Sequence, residues 1–123
     1  MKRVLVVDDE PGILRFVSIS LGLAGYDVAT TTSGEEALQL ARSQPPDIML
    51  LDILMRPLTG FEVLKRLRVF SQMPVIVFTA RREIAQTALE QGANGYITKP
   101  FAPGELVKII RATLNGQPDS TQA

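Results

Sequence analysis

The sequence predicts an α/β fold: a single three-layer, doubly wound (βα)5 domain with a parallel five-stranded sheet between two layers of helices. Five short apolar runs alternate with five segments of helical periodicity. The runs are nearly continuous in apolar residues, which is typical of strands buried on both faces of a parallel sheet. Such alternation gives right-handed crossovers with helices on both faces. The length of 123 residues suits one domain.

The predicted strands are short and follow one another at regular intervals. They lie at about residues 3–8, 27–30, 47–52, 74–78 and 95–98. The paired prolines Pro45 and Pro46 break the chain before the third run. We therefore expect five parallel strands of ordinary length, each followed by a helix.

The predicted helices lie at about residues 12–24, 34–43, 60–69, 83–91 and 103–114. Ser33 precedes the second helix as an N-cap, with Glu35 and Glu36 in the first turn. Asn115 and Gly116 close the last helix. The folded domain is expected to span residues 1–116, with 117–123 forming a flexible tail or the start of a linker.

Composition excludes several function classes. Thirteen basic and thirteen acidic residues balance without a basic block, which disfavours direct binding of nucleic acid. The absence of Cys and His excludes thiol catalysis, zinc–cysteine sites and the commonest general base. No apolar run approaches a bilayer span and no secretory signal is recognisable, so we expect no membrane partner and a cytoplasmic location.

Three aspartates close two of the predicted strands. Asp8 and Asp9 follow the first run, and Asp52 ends the third. Any one alone could be a helix N-cap. Because the carboxyl ends of parallel strands meet at one edge of the sheet, the three are expected to lie together. Clustered carboxylates favour a hard cation, which predicts a Mg²⁺ site.

Two further strand ends add a hydroxyl and an ammonium group. Thr79 follows the fourth run and Lys99 the fifth, at the same predicted edge as Asp8, Asp9 and Asp52. A carboxylate nucleophile, Mg²⁺, an ammonium and a hydroxyl together suffice for phosphoryl transfer. The sequence therefore predicts phosphoryl-transfer chemistry with Asp52, Thr79 and Lys99 as its catalytic residues.

In these motifs the chain resembles a bacterial response-regulator receiver domain, the target of two-component histidine kinases. The likeness covers residues 2–114 and depends on five motifs in order: Asp8-Asp9, Asp52, Gly60 eight residues later, Thr79-Ala80 and Lys99-Pro100-Phe101. The resemblance implies a flavodoxin-like fold with strand order 2-1-3-4-5. It also implies a sensor histidine kinase and an output domain or downstream protein as partners.

The resemblance assigns the acceptor and the metal ligands. Asp52 resembles the phosphorylation site, which takes a phosphoryl group from a kinase phosphohistidine or a small acyl phosphate. Asp9 resembles a direct Mg²⁺ ligand and Asp8 a ligand acting mainly through water. Asp52 and the backbone carbonyl of Leu54 resemble the remaining protein ligands.

The resemblance also assigns a switch. Thr79 resembles the hydroxyl that follows the phosphoryl group, Lys99 the ammonium that contacts it, and Tyr96 the aromatic residue that turns inward. The surface of the fourth helix, fifth strand and fifth helix is then expected to change on phosphorylation. The resemblance further implies a cis Lys99–Pro100 bond and places Leu54 and Arg81 beside the path of the hydrolytic water.

Two segments depart from the family pattern. Arg56 stands where the family usually has proline, and Pro57 is displaced by one residue. The acceptor-to-glycine spacing is intact, so we expect a local backbone change with the metal site retained. Asn94 and Gly95 replace acidic residues that often cement dimers, so we expect only weak homodimerisation on phosphorylation.

Two other functions compete with a phosphorylation-controlled switch. A receiver-like binding module could signal through protein contacts without phosphorylation, although every acceptor, metal, hydroxyl and ammonium position is filled. An independent Mg²⁺-dependent phosphatase or nuclease would need substrate-binding elements that this short chain lacks. The leading interpretation is a signalling switch that catalyses its own phosphorylation and dephosphorylation.

Overall fold

Strands and helices alternate along the whole domain in the computed structural model, which describes residues 2–116. The strands are β1 Arg3–Val7, β2 Asp27–Thr31, β3 Ile48–Asp52, β4 Val75–Thr79 and β5 Gly95–Thr98. The helices are α1 Pro11–Leu23, α2 Gly34–Ser43, α3 Gly60–Phe70, α4 Arg82–Glu90 and α5 Pro103–Leu114. All ten predicted elements are confirmed, with ends shifted by a residue or so. The expected tail at 117–123 lies outside the described residues.

The sheet is parallel throughout, with strand order β2-β1-β3-β4-β5. This is the order that the resemblance implied. Because β1 and β3 are neighbours, the residues that follow Val7 and Leu51 leave the sheet side by side. Asp52 pairs with Phe78, and Thr79 with Thr98, so the remaining strands end at the same edge.

Alternate strand residues feed two separate cores. One face, including Leu5, Met49 and Val77, packs against α2, α3 and α4. The other face, including Val6 and Leu50, packs against α1 and α5. Burial on both faces explains why the strands read as continuous apolar runs, and it confirms the three-layer prediction.

Local hydrogen bonds fix where α2 and α3 begin. Ser33 Oγ accepts a hydrogen bond from the Glu36 amide at 3.1 Å, which confirms the predicted cap. Thr59 caps α3 in the same way, at 3.3 Å from the Glu62 amide. The Glu62 side chain accepts in return from the Thr59 amide, completing a capping box. The Thr-x-x-Glu spacing of Thr59 and Glu62 is the sequence signal for this box.

Asn94 has a structural role at the edge of the sheet where β4 and β5 begin. Its Oδ1 accepts hydrogen bonds from the Val75 amide at 2.9 Å and from Arg68 Nη2 at 3.0 Å. Arg68 also donates to the carbonyl of Gly92. Burial lowers the pKa of Arg68. Asn94 therefore joins α3, β4 and the α4–β5 turn instead of offering a charge to a partner.

Within residues 2–116, no helix combines the length and the apolar character needed to cross a membrane.

Candidate phosphoryl-transfer site

The three predicted aspartates meet at the carboxyl edge of the sheet. Asp8 is fully buried, Asp52 is 5% exposed, and Asp9 is exposed. One carboxylate oxygen from each lies within 4.8 Å of the others. Neighbouring β1 and β3 bring them together, since Asp8 and Asp9 leave β1 beside the end of β3.

Backbone contacts hold Asp8 in place. Its amide donates to the carbonyl of Thr31 at 3.2 Å, which ties the loop after β1 to the end of β2. Its Oδ1 accepts from the Glu10 amide at 2.9 Å. The second oxygen, Oδ2, therefore remains directed toward the cluster, where Lys99 contacts it.

Lys99 bridges two of the aspartates. Its Nζ lies 3.1 Å from Asp8 Oδ2 and 3.6 Å from Asp52 Oδ1. The ammonium also lies 4.7 Å from the centre of the Phe78 ring, a cation–π contact that restrains its position. The Lys99–Pro100 bond is cis, as the resemblance implied. Phe78 was not singled out in the sequence, where it reads only as a buried strand residue.

The environment of Asp52 makes its carboxyl group harder to ionise than a carboxyl group in water. Burial, followed by the charge of Asp8, raises the pKa of Asp52 from 3.8 to about 6. Lys99 and the backbone of Leu54 act in the opposite direction, and Asp9 adds a smaller upward shift. The carboxylate set thus carries more negative charge than Lys99 alone compensates.

The two predicted switch residues lie in neighbouring strands, Thr79 at the end of β4 and Tyr96 within β5. Thr79 is buried, and its Oγ1 accepts from the Arg81 amide at 3.4 Å. The carbonyl of Thr79 accepts from the Lys99 amide at 2.9 Å, which joins the ends of β4 and β5. Tyr96 is half-buried against the α4 side of the sheet. It lines a groove with Arg82, Glu105 and Ile109.

The loop after Asp52 departs from the family pattern in sequence, but buried side chains and a backbone hydrogen bond still hold it to the domain. Ile53 and Met55 are buried, whereas the Leu54 side chain is 54% exposed. The Arg56–Pro57 bond is cis. The Gly60 amide donates to the carbonyl of Ile53 at 2.8 Å, so the loop closes on the start of α3. The carboxylate cluster is intact beside this altered backbone, in line with the expected local change.

The donor set fits a hard divalent cation. Its three carboxylates supply oxygen ligands of the type that Mg²⁺ prefers. Exposure of Asp9 leaves one side open for the waters that Mg²⁺ retains. A cation here would also offset the repulsion between Asp8 and Asp52 that raises the pKa of the latter.

Comparison with known families is decisive for classification. The family described as response regulator receiver domain matches residues 4–111. The chain belongs to this family. It is therefore a receiver domain of two-component signalling, the class to which its motifs pointed.

Curated relatives of this receiver domain include named transcriptional regulators. It is 44% identical to the probable transcriptional regulator ycf27 of Guillardia theta, over 92% of this chain and 45% of the relative. It is 42% identical to the alkaline phosphatase synthesis transcriptional regulatory protein PhoP of Bacillus subtilis, over 92% of this chain and 48% of the relative. The chain thus spans about half the length of the curated relatives it matches.

Solved receiver structures cover the chain almost completely. The chemotaxis protein CheY4 of Vibrio cholerae matches with a TM-score of 0.84 and 38% identity, over 90% of this chain and 97% of the other. The Francisella response regulator 1452 receiver domain matches with a TM-score of 0.88 and 31% identity, over 94% and 98%. These likenesses agree with the observed strand order.

Proposed function

We propose that Asp52 accepts a phosphoryl group in a Mg²⁺-dependent reaction and that the domain thereby switches an output. The observation that carries the proposal is the position of Asp52, nearly buried between two further aspartates and 3.6 Å from Lys99 Nζ. The donor is a sensor histidine kinase phosphohistidine or a small acyl phosphate. We propose that this phosphoryl transfer takes place in the cytoplasm.

The chemistry starts from the ionised carboxylate of Asp52. One of its oxygens bonds to phosphorus as the bond to the leaving nitrogen or oxygen of the donor breaks. Lys99 neutralises a phosphoryl oxygen as charge develops. Asp8, Asp9, Asp52 and the Leu54 carbonyl would hold Mg²⁺, which when bound neutralises further charge on the phosphoryl oxygens.

The proposed switch runs from Thr79 to Tyr96. The Thr79 hydroxyl accepts a long hydrogen bond from the Arg81 amide at 3.4 Å, and its own O–H would donate to a charged phosphoryl oxygen on Asp52. Its movement would free space for Tyr96 to turn inward. A small movement at the phosphorylated site would then become a rotamer change on the α4–β5–α5 surface.

The proposed partners follow from this role. A kinase supplies the phosphoryl group, and an output domain or downstream protein reads the switched surface. Relatives named as transcriptional regulators are about twice as long as this chain, which supports a transcriptional output. Since charge is balanced, we expect the domain itself not to bind nucleic acid.

Intact-mass analysis after incubation with acetyl phosphate and Mg²⁺ tests the proposal. The wild type should gain one phosphoryl group, and Asp52→Asn should gain none because it lacks the nucleophile. Asp47→Asn, an exposed carboxylate at the other end of the same strand region, is the matched control and should label normally. An unlabelled wild type would favour the phosphorylation-independent binding module, and equal labelling of Asp52→Asn would remove Asp52 as the acceptor.

A further inference from the structure

The side chain of Lys99 crosses a neighbouring strand to reach the aspartates. Lys99 follows β5, whereas Asp52 ends β3, and β4 lies between these two strands. Adjacent strands lie about 4.8 Å apart, so β3 and β5 are separated by roughly 10 Å. The Lys99 ammonium nevertheless lies 3.6 Å from Asp52 Oδ1. The lysine side chain must therefore pass over the residue that β4 presents at this edge.

That residue is Phe78. In the sheet it pairs with Asp52 on one side and with Ile97 on the other. Because successive side chains of a strand alternate between the two faces of the sheet, Asp52 shares the face of Leu50. Leu50, Phe78 and Ile97 belong to one core, on the α1 and α5 side. The Phe78 ring thus lies between Lys99 and the proposed acceptor.

The contact between the ammonium and the ring is close and shielded from water. Lys99 Nζ lies 4.7 Å from the centre of the Phe78 ring, within the range of a cation–π interaction. Phe78 is fully buried, and the Lys99 side chain is 21% exposed. A cation–π interaction is strongest where the cation is desolvated. The ring is itself restrained, because Phe101 packs nearly perpendicular to it with ring centres 6.1 Å apart.

The ammonium is closer to Asp8 than to the proposed acceptor. It donates to Asp8 Oδ2 at 3.1 Å, whereas Asp52 Oδ1 at 3.6 Å is beyond ordinary hydrogen-bond distance. To contact a phosphoryl group on Asp52, the ammonium must shift away from Asp8. The face of a ring attracts a cation without a directed hydrogen bond, so it can support the ammonium before and after this shift. An aliphatic side chain would fill the same space without attracting the charge.

We propose that Phe78 is a positioning residue for phosphoryl transfer, whose ring holds the Lys99 ammonium beside Asp52 and supports it as it moves to the transferred phosphoryl oxygens. The inference rests on the proposed function, because the phosphoryl group is the partner toward which Lys99 moves. Phe78 acts only through Lys99, and the bonds made and broken at phosphorus are those of the proposed reaction. The competing interpretation is that Phe78 only fills the core.

Progressive fluorination of the ring separates these two interpretations. Fluorine withdraws electron density from the ring face, which weakens its attraction for a cation, and leaves the shape of the ring nearly unchanged. Site-specific incorporation places one, two, three or five fluorines on Phe78 in the full chain. The rate constant for labelling by acetyl phosphate and Mg²⁺, followed by intact mass, should fall at each step and by about tenfold or more with five fluorines. A core-filling role predicts equal rates for all four rings.

Phe70 offers a matched control in the same chain. Its ring lies 3.8 Å from the guanidinium carbon of Arg42, a cation–π contact between α3 and α2. Pentafluoro substitution at Phe70 should leave the labelling rate unchanged. Phe78→Leu should slow labelling about as much as the pentafluoro ring does, and urea unfolding shows whether that variant remains folded. If it does not, the fluorinated rings alone decide.

A fluorine NMR signal tests the contact without any reaction. With a single fluorine at the para position of the Phe78 ring, Lys99→Met should shift this signal because it removes the cation above the ring. Lys65→Met removes an exposed cation on α3 and should leave the signal in place. This readout does not depend on the phosphorylation of Asp52.

Three outcomes would overturn the inference. Labelling could be insensitive to the number of fluorines on Phe78, fluorination of Phe70 could slow labelling equally, or the fluorine signal could fail to respond to Lys99→Met. Each of these results is obtained with a wild type that takes label, so the proposed function would stand. An unlabelled wild type would instead remove the proposed function, and with it the reaction that Phe78 is inferred to assist.

Discussion

The burial of Asp52 affects both its reactivity as the proposed nucleophile and the stability of the folded domain. Burial and Asp8 raise its pKa to about 6, while Lys99 opposes them from 3.6 Å. A nucleophilic carboxylate must be ionised, so the same burial that prepares a dry site for phosphoryl transfer also destabilises the reactive form. At neutral pH the ionised Asp52 therefore lowers the free energy of unfolding, which is an electrostatic cost to the folded protein.

That cost predicts a pH-dependent effect of Asp52→Asn in metal-free protein. Since the folded pKa lies above the unfolded value of 3.8, the wild type loses stability as pH rises through this window and carries the full cost above about 6. The variant should be more stable by about 1–3 kcal/mol near neutral pH, and the difference should vanish below about pH 4. Urea unfolding in a chelator measures both values. A gain that persists at low pH would assign the effect to packing instead.

The lifetime of the proposed aspartyl phosphate would depend on two further residues, Leu54 and Arg81. Leu54 cannot hydrogen-bond a water, and Arg81 is permanently cationic and pairs with Glu83 at 2.9 Å. Neither can serve as a base toward the aspartyl phosphate, so we predict slow autodephosphorylation. Leu54→Asn with Arg81→Glu should accelerate decay by about tenfold or more, measured by loss of label after rapid removal of the donor. Unchanged decay would mean that these side chains do not control access of water.

The residue types of the site could be predicted from the sequence, but not their energetic coupling. Asp8, Asp9, Asp52 and Lys99 were expected together because strand ends meet at one edge, and the distances confirm that they do. The cation–π contact of Lys99 with Phe78 could not be read from spacing. It depends on a side-chain orientation that only the assembled β4–β5 edge defines.

At the scale of elements, Gly60 packs the start of α3 against the end of β3. A Cβ atom at this position would lie 2.6 Å from the Ile53 Cα and closer still to the Asp52 carbonyl oxygen. These are backbone atoms, which cannot move aside as a flexible side chain would. The start of α3 is thus packed directly against the strand end that carries Asp52.

Gly60→Ala should therefore destabilise the domain by about 2 kcal/mol or more and lower the rate of Asp52 phosphorylation. Gly22→Ala is the matched control, because a Cβ at this α1 position meets nothing within 4 Å. It should stabilise by about 0.5–1 kcal/mol through helix propensity. Chemical denaturation and mass-based labelling give the two readouts. Equal stabilities for the two variants would show that the Gly60 contact can relax.

The sequence predicted the strands and helices correctly, because their periodicity is strong. It predicted the loop after Asp52 only in outline, because tertiary contacts determine the backbone there. The strands and helices were recovered because apolar runs and caps such as Ser33 are local signals. The cis Arg56–Pro57 bond and the Thr59 capping box belong to a loop whose family pattern is altered. There, tertiary closure on Gly60 selects the backbone, and the sequence alone supports only the expectation of a local change.

At the scale of the whole molecule, the fold distributes its charges between two surfaces. Helices α4 and α5 carry five charged residues that the linear sequence would allow on the α4–β5–α5 surface: Glu83, Glu90, Glu105, Lys108 and Arg111. In the structure, Lys108 and Arg111 instead line a groove between α1 and α5. Glu83 pairs with Arg81, and Glu105 accepts from the Ala102 amide at 3.1 Å. Which side of α5 a residue faces depends on how the helix is rotated on the sheet, which the linear pattern does not specify.

On the α4–β5–α5 surface, Glu83 is already paired within the chain, whereas Arg82 and Glu90 are exposed. Asn94 is engaged with Arg68 and the Val75 amide, and exposed ion pairs contribute only about 0–1 kcal/mol each. We therefore predict that the domain is monomeric without activation and self-associates only weakly when beryllofluoride and Mg²⁺ mimic phosphorylation. The driving change would be the inward turn of Tyr96 in the groove that it shares with Arg82 and Ile109.

Sedimentation velocity across a concentration series, with and without beryllofluoride and Mg²⁺, measures this equilibrium. Asp52→Asn is the control that should not respond, because it cannot form the beryllofluoride adduct. Tyr96→Ala should reduce the response while leaving Asp52 labelling unchanged, since Tyr96 is half-buried on the α4 side of the sheet and supplies no carboxylate to the cluster. A tight dimer already present without activation would show that a surface other than α4–β5–α5 controls assembly.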